Sequence, residues 1–247
     1  MFRSLADCRE RAEVKEANGV WIASLAAAFQ MFNAVFLSAP VADEKEFQTR
    51  IAMGAQFMAA RGLPWSLWIC DEWLAAPLRR RCITICARSG LQLASEMPGM
   101  GTERLHPPER RLPALEFRPV MNELERRAFC SIGSLCFHVP PGWFEEIFDR
   151  RMKDRRDFEA WVGYLNGEPI ASAATVTTGS VIGVYNVAVL PEFRGRGYAE
   201  AIMRYTVAQA HERTGLERVI LQSTRQAVGM YERLGFSPFT RILVFTS

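Results

Sequence analysis

Residues 184–204, VYNVAVLPEFRGRGYAEAIMR, restrict the fold more than any other stretch of this chain. An apolar run meets a proline, then a basic loop with spaced glycines, then a helical pattern. That order requires a strand that hands over to a helix through a tight loop. Residues 182–190 are apolar on both faces, as in a central strand covered on two sides. Ala199, Ile202, Met203, Val207 and Ala210 then recur at helical spacing, and Gly215 ends the helix. Between strand and helix lies Arg194-Gly195-Arg196-Gly197. At a helix N-terminus the first N–H groups lack intrahelical partners and the dipole favours negative charge. Glycines let those N–H groups approach a ligand closely, so residues 194–199 describe an anion site that suits a pyrophosphate. A surface turn with two glycines has the same letters. The spacing is not that of a GxGxxG dinucleotide loop.

The neighbouring sequence supplies a frame. Residues 160–178, AWVGYLNGEPIASAATVTT, read as a hairpin in which Asn166-Gly167 fill the positive-φ positions of a type I′ turn. Thr178-Gly179-Ser180 makes the next turn. RVILQ at 218–222 is a further strand. Ala227, Met230, Tyr231 and Leu234 form one stripe of a short helix, with Gly235 as its C-terminal stop. FTRILVFT, 239–246, closes the chain as an alternating strand. The expected domain is α/β (α+β), built on a mixed sheet.

Residues 97–113, MPGMGTERLHPPERRLP, hold four prolines and two glycines and read as a linker. They divide the chain into a domain at 1–97, a linker at 98–114 and a domain at 115–247. The first part reads as helix-rich. Phe47, Ile51, Ala55 and Met58 mark one helix; Leu78, Cys82, Ile85 and Cys86 mark another, closed by Gly90. PWSLWIC and LQLASEM read as strands. Residues 20–42 carry no charge and are expected to form a core helix: Ser24, Gln30, Asn33, Ser38 and Pro40 argue against a membrane span. Asp7, Glu10, Glu13 and Glu16 argue against a signal peptide, so the chain is expected in the cytoplasm. Six scattered cysteines and three distant histidines give no metal-ligand spacing, and a net charge of +3 gives no footprint for nucleic acid or a membrane surface. The mixed-charge run 150–157, RRMKDRRD, reads as a solvated helix end.

NVAVLPEFRGRGYAEAIM followed by LQSTRQAVGMYERLGF resembles the GNAT superfamily of acetyl-CoA-dependent N-acetyltransferases. That family's strand leads into Arg/Gln-x-x-Gly-x-Gly/Ala, and here Arg194, Gly197 and Ala199 hold those places. Its later signature is a Tyr followed by Leu-Gly-Phe, here Tyr231 and 234–236. The resemblance runs from about residue 183 to 236 and implies the GNAT fold, a mixed, mostly antiparallel sheet flanked by helices. Some bacterial members are tandem, with a degenerate N-terminal copy, and residues 1–97 resemble such a copy; an unrelated helical domain is the alternative.

The resemblance implies acetyl-CoA as co-substrate, with no metal. It implies pyrophosphate contacts from Arg194, Gly195, Arg196, Gly197, Tyr198, Ala199 and Glu200. The pantetheine arm would pair with Val187-Ala188-Val189. Thr224 stands where many members carry a cofactor-contacting Asn. Tyr231 matches the general acid, although its stripe with Ala227 and Leu234 also suits a core residue. Many members carry a Glu on the strand before the loop; this chain has Tyr185 and Asn186 there. His138 lies in the region that lines the acceptor side and is a candidate base, while Glu145 and Glu146 fit either acceptor recognition or a solvated face. The acceptor is expected to be a small-molecule or peptide amine, and the protein a monomer or homodimer. A non-catalytic acyl-CoA-binding regulatory module is the competing function.

Overall fold

The structure, a computed structural model, describes residues 1–247 apart from the side chains of Lys153 and Asp154. The chain changes unit between Gly99 and Met100. One unit comprises residues 2–99 with 238–247, and the other comprises Met1 with 100–237.

In the first unit α1 (Phe2–Ala6) precedes β1 (Glu13–Ala17), β2 (Val20–Ser24) and β3 (Asn33–Leu37), an antiparallel meander. α2 (Glu44–Ala59) crosses over to β4 (Ser66–Cys70), which lies parallel to β3. α3 (Ala76–Arg88) follows, and β5 (Gln92–Thr102) carries the chain into the second unit. The expected helix within residues 20–42 is therefore two strands with a connection between them. Val20, Trp21, Ile22, Val35 and Phe36 suit a pleated, half-buried surface. The polar residues have structural work: the buried Asn33 amide donates to the carbonyls of Ala27 (2.8 Å) and Pro64 (2.9 Å) and fixes the connection. The run lacks charge because its strands are buried, and the helical reading missed their period.

The chain's last strand joins this unit. β11 (Ser237–Thr246) runs antiparallel to β4, from Ile242 opposite Cys70 to Thr246 opposite Ser66. Ile242, Leu243, Val244 and Phe245 are buried in succession, so the strand is covered on both faces. The expected division at 98–114 with a second domain to 247 is corrected accordingly. The proline-rich stretch begins inside β5, and the closing strand belongs with residues 2–99.

The second unit contains β6 (Glu116–Pro119), α4 (Glu123–Phe137), α5 (Pro141–Ile147), β7 (Phe158–Leu165), β8 (Glu168–Thr178) and β9 (Val181–Val189). α6 (Tyr198–Thr214), β10 (Val219–Gln222) and α7 (Val228–Arg233) follow. Its strands lie in the order β10-β9-β8-β7-β6, antiparallel except for β9 and β10. β8 is buried from Ile170 to Val176, because α4 and α6 both pack on it. Asn166 and Gly167 take φ of 51° and 85°, as the hairpin turn required. Of the basic run, residues 150–154 form a 3-10 turn and Arg155 pairs with Asp157 at 2.8 Å; Lys153 and Asp154 lie outside the described side chains. Each unit thus contains one plan, a three-strand antiparallel meander (β1–β3 or β7–β9), a helical crossover to a parallel strand, then a second helix; the second unit adds β6, α4 and α5 before it. Among the described residues no helix is long and apolar enough to cross a membrane.

The contact between α4 and α5 sets a stability test. A Cβ on Gly133 would lie 2.3 Å from Cζ of Phe144. Gly133→Ala is expected to cost about 1–3 kcal/mol in chemical denaturation, the usual penalty of overpacking. Adding Phe144→Leu should recover part of the loss.

Candidate active site

The site begins with a fault in β9. Ser172 faces Ala188 and Ala174 faces Tyr185, so Ala173 alone stands opposite Asn186 and Val187. This is a β-bulge, and its first residue, Asn186, is left-handed at φ 53°. Asn tolerates that region better than most side chains. On its other edge β9 pairs with β10 only at Ile182–Val219 and Gly183–Ile220. Beyond Gly183 no residue of β10 is in register with β9, although β9 continues to Val189. Bulge and parting together leave the edge of residues 184–189 open to an extended ligand, which can add to it by backbone hydrogen bonds.

That edge leads directly into the glycine loop. Arg194 donates through Nε to the Val189 carbonyl at 3.0 Å, which ties the loop to the strand end. Gly195 and Gly197 have φ of 77° and 88°, and a Cβ on Gly195 would point into open space. Gly197 is the N-cap of α6 and supplies no side-chain cap. The first-turn N–H groups of α6 are therefore available. The crossover helix of the first unit is the instructive contrast. There Asp43 caps the Glu46 N–H at 2.8 Å, and Glu46 accepts from the Ala42 N–H at 2.9 Å. That capping box fills the N-terminus of α2 with the protein's own carboxylates. One helix is closed to anions and the other is open.

The sequence reading missed the strap that crosses this corner. His106 donates its N–H to the Leu234 carbonyl at 3.0 Å, and Arg204 binds the His106 carbonyl at 2.5 Å. Gly235 has φ 96°, and the His106 ring occupies the face where its Cβ would sit, 2.7 Å away. Pro113 and Arg110 stand 3.2 and 3.4 Å from the corresponding point of Gly197. A cavity of about 360 Å³ between strap and helices is lined by Glu109, Arg110, Glu200 and Arg233. Glu200 is already paired with Arg204 at 2.8 Å. Arg110 lies in what reads as linker and Arg233 in a motif read for its Tyr. Their positive charge was the one signal available.

Tyr231 is buried, 6% exposed, on α7. Its ring meets Phe236 edge-on at 5.6 Å, and it shares a core cluster with Val187 of the open edge. Burial pushes its phenol up to about 12. Tyr185 lies over Gly183 and is likewise pushed up by burial. Asn186 has a buried Nδ2 without a hydrogen-bond partner. Thr224 is exposed at the start of the turn before α7, with its carbonyl accepting from Ala227 at 3.0 Å. His138 caps α4 in a left-handed conformation and is exposed. Cys136, two residues earlier, donates to the Val189 carbonyl at 3.3 Å, which sets the α4–α5 corner beside the end of β9. Val187 to Glu200 thus form one continuous feature, with Tyr231 packed against its strand. Thr224 and His138 stand at its margins. Glu145 lies 3.9 Å from Arg126. Among the described residues no group of three His, Cys, Asp or Glu side chains could hold a metal ion.

These buried acids give a pH test. Burial pushes the Tyr231 phenol from an ordinary 10 to about 12 and the Cys130 thiol from 9 to about 12. Between those values the folded state holds more protons than the unfolded one, so stability falls as pH rises. It should be intact below about pH 9 and decline toward pH 12. Urea midpoints across pH 8–11 should show the decline, less steeply in Cys130→Ala and Tyr231→Phe.

The second unit thus sets a β9–β10 pair that is in register only at Ile182–Gly183 beside a glycine loop whose helix has no side-chain cap. The family model for Acetyltransferase (GNAT) family matches residues 120–236, and this domain belongs to the GNAT superfamily. Solved structures extend the likeness over both units. A GCN5-related N-acetyltransferase from Kribbella flavida superposes with a TM-score of 0.75 at 19% identity, covering 99% of this chain and 91% of that one. Another from Sphaerobacter thermophilus gives 0.62 at 17% identity, over 93% of this chain and 76% of that one. A tandem GNAT protein from the clavulanic acid biosynthesis pathway gives 0.53 at 10% identity, over 97% and 84%. At such identities the likeness is one of fold. No curated protein matches the sequence.

Proposed function

We propose that the protein is a cytoplasmic N-acetyltransferase that moves an acetyl group from acetyl-CoA to a primary amine of a small molecule or peptide, by direct attack in a ternary complex. Family membership supports acetyl transfer. The observation that carries the rest is the open α6 N-terminus beside the parted edge of β9, against the self-capped α2. It supports reading the second unit as the acyl-CoA site and the first as a degenerate copy that keeps the plan without the anion loop.

The residues fit the roles. Backbone N–H groups from Arg194 to Glu200, including Gly195, Arg196, Gly197, Tyr198 and Ala199, would hold the pyrophosphate. Val187, Ala188 and Val189 would pair with the pantetheine arm, and Thr224 would lie at its border. Acetyl-CoA supplies the activated thioester. The Val187 N–H stabilises negative charge on the attacked carbonyl oxygen. Tyr231, protonated throughout the neutral range, donates a hydrogen bond to the departing sulfur. With a phenol near 12 and an ordinary thiol near 8.5, complete proton transfer is uphill by roughly 5 kcal/mol, so this donation stabilises the leaving group without full transfer. Tyr185, Asn186 and His138 would face the acceptor, and the ammonium proton leaves to His138 or to water. No metal, nucleic acid or membrane is required, and the protein acts as a monomer or homodimer.

One observation favours a second reading. β9 carries no carboxylate to act as base, which suits a regulatory module that binds acyl-CoA without turnover. Calorimetric titration with acetyl-CoA tests both. One site per chain is expected, and an absence of binding would sink both readings.

A further inference from the structure

We propose that the strap of the second unit, residues 106–113, is part of the cofactor site: Arg110, with Arg233 of α7, binds the ribose 3′-phosphate and makes the protein selective for CoA over dephospho-CoA. This rests on the acetyl-CoA reading and adds to it a specificity determinant that lies outside the glycine loop.

The strap is fastened, and fastened at the loop. His106 is bonded at its N–H to Leu234 and at its carbonyl to Arg204. Its ring fills the space above Gly235. Pro113 rests on Gly197, the N-cap of α6. Arg110, between those anchors, brings its guanidinium 3.4 Å from the point where a Gly197 Cβ would stand. Any larger residue at 197 would press on the strap, so the glycine serves the strap as well as the loop.

Charge then selects the ligand. Arg110 and Arg233 line the 360 Å³ cavity with Glu200 and Glu109. Glu200 is neutralised by Arg204 at 2.8 Å, with both side chains largely buried. Glu109 opposes an anion, so the two guanidiniums exceed the free carboxylates by one. Guanidinium groups match phosphate oxygens in a planar, two-pronged geometry. CoA carries two separate phosphate groups. The pyrophosphate falls to the loop backbone at Gly195–Gly197, and the remaining one is the 3′-phosphate. The cavity adjoins the first turn of α6 through Glu200, on the strap side of the loop, where a ribose linked to that pyrophosphate can reach.

The test compares acetyl-CoA with acetyl-dephospho-CoA by calorimetry on the full chain. The unaltered protein should bind acetyl-CoA at least ten-fold more tightly. Arg110→Ala should remove most of that preference by weakening acetyl-CoA alone, and Arg233→Ala should do the same. Glu109→Gln should widen the preference, while Arg111→Ala, on the strap but off the cavity, should leave it unchanged. Equal affinities in the unaltered protein would overturn the strap proposal while leaving the acetyl-CoA site intact. So would an Arg110→Ala loss shared by both ligands, because the strap would then act only on shape or bulk charge. Failure of both ligands to bind would overturn the underlying acetyl-CoA reading and this proposal with it.

Discussion

Tyr231→Phe should reduce kcat by about 10²–10³-fold, the range for losing one hydrogen-bond donor aimed at developing negative charge, and leave the acetyl-CoA Kd within about two-fold. The substitution removes one oxygen from a ring that already packs against Phe236 and the core cluster with Leu221 and Leu234. Packing survives, so the fold should too. The hydroxyl does nothing for the ground state if its partner is a sulfur that becomes negative only as the bond breaks. Loss in kcat without loss in affinity is therefore the signature of leaving-group stabilisation. The measurement is thiol release with an amine found by screening, alongside calorimetry with acetyl-CoA. An unchanged kcat would assign Tyr231 to the core. Binding without turnover for any amine would favour the regulatory reading.

The second unit was legible because its signals are local. Asn166-Gly167 fixes a hairpin, Gly197 and Gly215 bracket α6, and the motif residues stand next to one another along the chain. Two features were hidden for physical reasons. Residues 20–42 lack charge because they are buried, and burial looks alike in strand and helix until a residue such as Asn33 reveals where the chain turns. β11 pairs with β4, a strand far earlier in the chain, and the alternating apolar run of 237–246 predicts a strand without naming its neighbour. The bulge was equally hidden. A left-handed Asn186 is a property of its pairing with β8, and the sequence shows only an Asn in an apolar run. The strap is the functional counterpart of the same difficulty. Proline-rich composition identifies a connection, and only the His106, Pro113 and Arg110 contacts show that it rests on the loop.

Gly195→Asp should weaken acetyl-CoA by about 100-fold or more and leave Tm nearly unchanged. The two halves of that expectation have separate causes. At φ 77° a side chain is strained, but Asp and Asn tolerate the left-handed region best, and nothing lies within 4 Å of the added Cβ. The fold should bear the change. The carboxylate, however, would project from the loop where the pyrophosphate is expected. A like charge about 4 Å away at an effective dielectric near 20 repels by up to about 4 kcal/mol, which exceeds the ~2.7 kcal/mol needed for 100-fold. Gly195→Asn separates charge from shape, since it has the same size and backbone preference without the charge. Asp should therefore bind far more weakly than Asn, and the gap should shrink as salt is raised, because the loop is exposed to solvent. Equal affinities for the two variants would mean that the anion sits elsewhere. The contrast between the open α6 and the capped α2 would then explain the repeated plan of the chain without explaining its chemistry.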